Sequence, residues 1–305
     1  MNKLIAIVGP TAVGKSRLAL HLAREFTGEI VSADSRQIYH FMDIGTAKPS
    51  RQEISLIPHH LIDIIKPNET FSLAQYQKLA SQAIDAIILR KRLPLLVGGS
   101  GQYVWSVVEG WGIPKVPPDP EFRHKLEKRA ARGDSEELYQ ELLMRDPKTA
   151  GRIDQNNIRR VIRALEINKA GYELVNKKLI NSVTYNVLII GLTMDRGILY
   201  RRIDSRIDNM VERGFVEEVK GLINMGYRLN LPALSSIGYR QIGDFLEGRT
   251  TLEAAIQQIK YETHRFVRQQ YNWFSQKDGR IKWYDLQKKV EPEIMKLVDS
   301  FIRKV

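Results

Sequence analysis

The 305-residue chain contains no cysteine. That absence removes disulfide frameworks, thiolate zinc sites, iron–sulfur clusters and thiol nucleophiles together, and it fits a reducing compartment. No apolar run approaches the roughly 18 residues that a membrane-spanning helix needs; the longest candidate, residues 187–192, is the size of a strand. Residues 1–8 carry one lysine and a short apolar run closed by Gly9 and Pro10, too short for the core of an export signal. A soluble, cytoplasmic protein is therefore expected. Also missing are a Gly-x-Ser-x-Gly elbow, a His-Glu-x-x-His pair and a His-Arg-Asp loop, which argues against the common serine hydrolases, zinc peptidases and protein kinases. Acidic residues are in deficit, 35 against 47 lysines and arginines, for a formal charge of +12. An excess of that size makes a polyanion the partner class to test.

What is present begins with a short β-like apolar run, residues 3–8, followed by Gly9, Pro10, Thr11, Ala12, Val13, Gly14, Lys15 and Ser16, and then by Leu18, Leu22 and Phe26 at helical spacing. Strand, Gly-x-x-x-x-Gly-Lys-Ser and helix together make a complete P-loop pattern. Its glycines let backbone N–H groups close around phosphate oxygens, Lys15 neutralises them, and Ser16 is placed to hold Mg²⁺. Residues 29–33 and 93–97 read as two more buried strands, leading into Asp34, Ser35, Arg36 and Gln37 and into Gly98, Gly99 and Ser100. With a long helical pattern over residues 73–90 between them, the expected fold is α/β, a P-loop NTPase-like parallel sheet with flanking helices. Loops at the carboxyl ends of such strands converge on one site. Asp34 is then a magnesium ligand, an acceptor-binding carboxylate or the cap of its own turn, and the Ser100 hydroxyl either touches substrate or closes a turn.

Four prolines between Pro114 and Pro120 break the alternation and open a mostly helical stretch. The expected organisation is a first part of the core over 1–115, an inserted all-helical domain over 116–182, and completion of the core with carboxy-terminal helices over 183–305. Within the insert, Arg159, Arg160 and Arg163 share an arc opposite Val161, Ala164 and Leu165, a geometry that suits an RNA backbone or a solvated salt-bridge face. Arg202, Arg206 and Arg213 fall near one stripe of a later helix. Such a stripe grips phosphate or pairs with Asp208 and Glu212. His59 and His60 are adjacent in a β-like segment that runs on through residues 61–64, so they point to opposite faces and cannot share one metal. Residues 255–289 hold eight basic and three acidic side chains among seven aromatic ones, read as a helix with an aromatic core face and a basic face, or as an RNA contact.

Taken in order, these motifs closely resemble the bacterial tRNA dimethylallyltransferases, also called tRNA isopentenyltransferases. The resemblance rests on the P-loop octet, on residues 34–39, on Gly45, Thr46, Ala47 and Lys48, on residues 58–63, 98–103 and 159–166, on Asp195 through Arg206 with Met210 and Gly214, on Ile237, Gly238 and Tyr239, and on Trp273 and Phe274. It implies that the P-loop binds the diphosphate of dimethylallyl diphosphate rather than ATP, with Mg²⁺ held partly by Ser16. It further implies transfer of the five-carbon group to N6 of adenosine 37 beside the anticodon. In that scheme Asp34 accepts the N6 proton, Arg206 joins Lys15 on the departing diphosphate, and the target base is flipped out of its stack into a channel. Ser100 and Arg123 are assigned to tRNA near the channel, Asp34, Ser35, Arg36 and Gln37 to the flipped adenine, and Arg159, Arg160, Val161, Ile162 and Arg163 to the anticodon stem–loop. There are two departures from the family pattern: Ser100 stands where threonine is usual, and in Arg268, Gln269 and Gln270, where a Lys-Arg-Gln triplet is usual, the positive charge at position 269 is lost. The expected partners are the tRNA anticodon stem–loop and dimethylallyl diphosphate, with the protein acting as a monomer. A P-loop kinase of a nucleotide or small metabolite, an adenylate isopentenyltransferase and a non-catalytic RNA-binding module are the alternatives; only tRNA prenyl transfer uses the P-loop, Asp34 and the basic insert together.

Overall fold

The computed structural model describes residues 2–114, 116–171 and 185–304. The chain divides into two compact units, Met1–Glu109 with Val183–Val305, and Gly110–Ser182. The first unit opens with β1 (Lys3–Val8), α1 (Lys15–Glu25), β2 (Gly28–Ser32), α2 (Arg51–Leu56), β3 (His59–His60), α3 (Leu73–Leu89), β4 (Leu93–Val97) and α4 (Gly101–Val108). The second holds α5 (Pro120–Ala131), α6 (Ser135–Arg145), α7 (Pro147–Ala150) and α8 (Ile158–Lys169). The first then resumes with β5 (Asn186–Thr193), α9 (Arg196–Glu212), α10 (Phe215–Asn224), α11 (Tyr239–Leu246), α12 (Leu252–Trp273), β6 (Ile281–Asp285) and α13 (Glu291–Arg303).

All six strands form one parallel sheet in the order β3-β2-β4-β1-β5-β6. A parallel sheet is covered on both faces, so its central strands are apolar throughout instead of alternating: Leu4, Ile5, Ala6, Ile7 and Val8 of β1 are completely buried, and so are Leu95 and Leu96 of β4. Helix starts follow the same local chemistry. The Ser72 hydroxyl accepts the Gln75 N–H at 3.2 Å while Gln75 Oε1 accepts the Ser72 N–H at 2.8 Å, a reciprocal cap that sets the first turn of α3.

The helical unit has its own core, built from Leu126, Leu138, Leu142, Ala150, Val161, Ile162, Ala164 and Leu165. Beside it Glu166, only 2% exposed, takes a bidentate fork from Arg123 at 2.9 and 2.8 Å, a third bond from the Asp119 N–H at 2.6 Å and an ion pair from Arg163. Burial pushes this carboxyl up, but the Arg123, Asp119 and Arg163 bonds outweigh burial and hold it below its ordinary value.

Two expectations need correction. The segment after His60 does not continue as a strand: Leu61 and Asp63 take left-handed φ values of 62° and 53°, which end the pairing after two residues. Nor is residues 255–289 one helix. Helix α12 stops at Trp273, and Ile281, Lys282, Trp283, Tyr284 and Asp285 form an edge strand paired with β5, a state that β-branched and aromatic side chains such as Ile281, Trp283 and Tyr284 favour. The last residues predicted helical in the insert, 172–178, lie outside the described residues.

Candidate active site

The loop between β1 and α1 is shaped by Gly14, whose φ of +114° is a left-handed conformation that side chains resist. Lys15 folds back over this loop, its Nζ donating to the carbonyls of Gly9 at 3.0 Å and Pro10 at 2.7 Å. Ser16 and Arg17 follow in the first turn of α1, where backbone N–H groups have no partner within the helix and face the anion site.

The second wall is the turn after β2. Asp34 Oδ1 accepts the Arg36 N–H at 2.9 Å, which closes the turn, and Asp34 Oδ2 has no protein partner among the described residues. Ser100, at the start of α4, accepts the Ser35 N–H at 3.0 Å and donates to Ser35 Oγ at 3.3 Å. Its hydroxyl thus ties the β4 loop to the Asp34 turn. The two loops touch because Gly98 has no side chain: a Cβ there would lie 2.1 Å from the Ala33 carbonyl oxygen. Gln37 is fully engaged, with Nε2 donating to Thr46 and Ala47 at 3.3 and 3.2 Å and Oε1 accepting from Ser32 at 3.0 Å. Arg36 donates to Pro232 at 3.0 Å.

The loop over residues 43–48 forms a third wall, and its organiser went unseen in the sequence. Glu218 of α10 accepts three consecutive N–H groups, Asp43 at 2.8 Å, Ile44 at 2.6 Å and Gly45 at 3.1 Å, plus the Tyr239 hydroxyl at 2.6 Å. Lys48, buried at the end of this loop, donates to the Tyr39 carbonyl and Asp43 and pairs with Asp63. Removing the Glu218 carboxylate leaves three amides unanswered. We expect Glu218→Ala to cost about 2–4 kcal/mol of stability, read as a lowered thermal midpoint; an unchanged midpoint would show that water replaces the carboxylate freely.

These walls border a cavity of about 490 Å³ whose lining includes Lys15, Ser16, Asp34, Gln37, Lys48, Arg202 and Arg206 together with the apolar Ala19, Ile30, Ile62 and Val97. Arg206 also lines an adjoining groove with Arg201, Arg202 and Arg213, so the arginine stripe exists as read from the sequence. Among the described residues neither Asp208 nor Glu212 forms an ion pair with this stripe; Asp208 pairs with Lys260 at 2.7 Å. Burial lowers the Lys15 ammonium to about 8, opposed by Asp34 and reinforced by Arg206; burial likewise lowers Arg206, opposed by Asp34. An anion arriving here meets cations already stripped of water. Two carboxylates line the cavity, Asp34 and Glu53. Glu53 is committed to the Ser50 cap of α2 through bonds of 2.7 and 2.8 Å, which leaves Asp34 as the available base. His59 also lines the cavity, with Nδ1 2.7 Å from the Ile57 carbonyl, and burial lowers it. His60 turns the other way, to Glu29 at 2.7 Å. No group of three or more His, Cys, Asp or Glu side chains gathers as a metal cluster among the described residues.

The last turn of α12 buttresses the rim. Gln270, 3% exposed, accepts the Thr11 N–H at 2.9 Å and donates to the Gly99 carbonyl at 3.2 Å, Trp273 accepts the Trp105 indole N–H at 2.9 Å, and the Tyr271 and Thr193 hydroxyls lie 2.9 Å apart.

The remaining predicted residues belong to the helical unit. Arg159 and Arg160 are exposed on α8. Arg163 bridges Glu166 and the Val116 carbonyl, at 3.0 Å to the latter, and Arg123 is the bidentate partner of Glu166. Val161 and Ile162, 0% and 4% exposed, face the core of that unit; they hold the helix in place, and their side chains offer nothing to a partner. No described helix is long and apolar enough to cross a membrane.

Comparison with known proteins places this geometry among relatives. The IPP transferase family model matches residues 37–277, and that of the isopentenyl transferases matches residues 2–66. A tRNA dimethylallyltransferase of Roseiflexus castenholzii is 50% identical over 275 residues, 90% of each chain. A tRNA isopentenylpyrophosphate transferase of Bacillus halodurans, of known crystal structure, is 42% identical and superposes with a TM-score of 0.73 over 99% of this chain and 96% of its own. A eukaryotic dimethylallyltransferase solved acting on tRNA is 26% identical, with a TM-score of 0.84 over 99% of this chain and 80% of its own.

Proposed function

Since the chain belongs to the IPP transferase family and transfers a dimethylallyl group to tRNA, we propose that its cavity binds dimethylallyl diphosphate with the diphosphate on the P-loop and that the acceptor is N6 of adenosine 37, presented at Asp34. One observation carries this reading: Asp34, whose Oδ2 accepts no hydrogen bond from the described residues, lines the same cavity as Lys15, Ser16 and Arg206.

The chemistry asks for that pairing. Breaking the allylic C1–O bond puts positive charge on carbon and negative charge on the departing diphosphate, so preorganised cations and N–H groups at the leaving group lower the barrier. Lys15, Arg206 and the first-turn amides of α1 supply them. As C1 bonds to N6, the amine proton passes to Asp34 Oδ2, giving N6-dimethylallyladenosine and diphosphate. Ile30, Ile62 and Val97 give the cavity apolar lining, which disfavours water near a developing allylic cation. Mg²⁺, when bound, neutralises diphosphate charge; the Ser16 hydroxyl with diphosphate oxygens and waters makes a donor set suited to it. Ser100 acts by holding the Asp34 turn, and Gln37 by joining that turn to residues 46–47. On the tRNA side, Arg159 and Arg160 take the phosphates of the anticodon stem, while Arg123 and Arg163 present the outer N–H groups of guanidiniums braced by Glu166.

The test is incubation with radiolabelled dimethylallyl diphosphate, Mg²⁺ and unmodified tRNA, with AMP and ATP offered in parallel. Label is expected in tRNA, at adenosine 37 after nuclease digestion. Label in free nucleotide instead would move the chain to the adenylate branch.

A pH dependence follows from Lys15. Held at about 8, the ammonium is charged below that pH and loses its proton as pH rises through it, so diphosphate is bound best on the acid side. We expect kcat/KM for dimethylallyl diphosphate to decline above pH 8 by up to about tenfold per unit, and Lys15→Arg, whose charge persists, to lose this limb. A wild-type profile flat from pH 7 to 10 would show that Lys15 is not titrating in the free enzyme.

A further inference from the structure

We infer that Gln270 is a positioning residue that sets the distance between the leaving-group loop and the acceptor loop. Its amide is the sole side-chain bridge among the described residues between the P-loop and the β4–α4 loop: Oε1 accepts the Thr11 N–H and Nε2 donates to the Gly99 carbonyl. Each atom has a partner of opposite character, so the amide has one workable orientation. Gly99 is followed by Ser100, whose Oγ holds the Ser35 N–H, and Ser35 follows Asp34. A continuous chain of bonds therefore runs from the loop that takes the diphosphate, through one glutamine, to the turn that carries the base.

The approach is close. A Cβ on Gly99 would lie 2.2 Å from Gln270 Nε2, so an alanine there and the glutamine cannot both keep their places. The Thr11 amide, turned toward Gln270, is withheld from the anion, and the glutamine thereby fixes which loop amides face the ligand. An apolar side chain at 270 would leave the half-buried Thr11 N–H and the buried Gly99 carbonyl without this partner. The helix end is itself anchored: Phe274 is wholly buried, and the Trp273 carbonyl takes the Trp105 indole N–H. The catalytic effect of such a tie lies in geometry, where small misplacements of reacting groups cost large factors in rate.

This inference rests on the proposed reaction, so its test has one readout that uses the reaction and one that does not. Gly99→Ala, Gln270→Ala and the double variant are compared by calorimetric affinity for inorganic diphosphate and by the single-turnover rate at saturating dimethylallyl diphosphate and tRNA. Each single substitution is expected to lower the single-turnover rate by roughly tenfold or more, with KM for tRNA held within about threefold. Because Gln270→Ala vacates the space that the new methyl needs, adding Gly99→Ala to it should change neither affinity nor rate by more than about twofold, whereas in the wild-type background Gly99→Ala should weaken diphosphate roughly threefold or more. Effects that multiply in the double variant would overturn the inference. So would a Gln270→Ala enzyme with wild-type rate and affinity. If Gln270→Ala does not fold, Gln270→Glu replaces it: a protonated carboxyl reproduces the amide's donor and acceptor, so the variant-to-wild-type rate ratio should rise as pH falls, and a flat ratio counts against the tie. A wild type that binds diphosphate without labelling tRNA would sink the proposed reaction while leaving the coupling measurable through affinity.

Discussion

Asp34→Asn is expected to lower kcat by about 10²- to 10⁴-fold, the range that a positioned general base contributes, with little change in affinity for either substrate. The amide is nearly isosteric, and its oxygen can still accept the Arg36 N–H that shapes the turn. What is lost is an acceptor for the N6 proton at the moment C1 bonds to nitrogen. Because the base contributes in the transition state and little in the ground state, the loss belongs in kcat. The measurement is single-turnover transfer of labelled prenyl group beside tRNA affinity by filter binding. A variant that transfers within threefold of wild type would remove Asp34 from the proton's path.

Arg206→Gln is the second large effect, expected at about 10²- to 10³-fold in kcat, the typical loss on deleting one preorganised donor to developing negative charge. Burial already works against the charge on this guanidinium and Asp34 works for it, so the side chain is a cation held in a dehydrated place before any ligand arrives. Such a group is worth more to a leaving diphosphate than a solvated one. Arg206→Lys should recover only part of the loss, since an ammonium cannot offer the planar fork. If both variants kept wild-type kcat, and only KM for dimethylallyl diphosphate rose, Arg206 would be a ground-state anchor and Lys15 with the α1 amides would carry the leaving group.

How far the sequence alone reaches depends on whether a signal is local. The P-loop, the strand over residues 93–97 and the arginine stripe of α9 follow from spacing within a dozen residues and appear as read. Asp34 was placed by its position after a strand, and the structure shows it both closing its turn and lining the cavity; the two readings were never exclusive. Glu218 and Gln270 were opaque because each acts on backbone far away in the chain, residues 43–45 and residues 11 and 99. No periodicity marks a side chain whose partner is a distant amide. β6 was missed for a related reason: its pairing partner is β5, and its own five residues look as amphipathic as the helix before them. Inside the helical unit, burial of Val161 and Ile162 separates residues that shape α8 from Arg159 and Arg160, which face outward.

The pairing of β1 with β5 sets Lys3 opposite Asn186, with the whole helical unit passing between them in the chain. During synthesis the first strand can pair with β4 once Val97 has emerged, but its other neighbour, β5, arrives only after most of the polypeptide has left the ribosome, and the α12 turn that buttresses the P-loop emerges later still. The helical unit has a core of its own, contributed by residues of α5, α6, α7 and α8, and needs no such delay. Competence for catalysis then arrives late, after the β1–β5 pairing, the longest-range pairing in the sheet, and the still longer closure of Gln270 onto the P-loop.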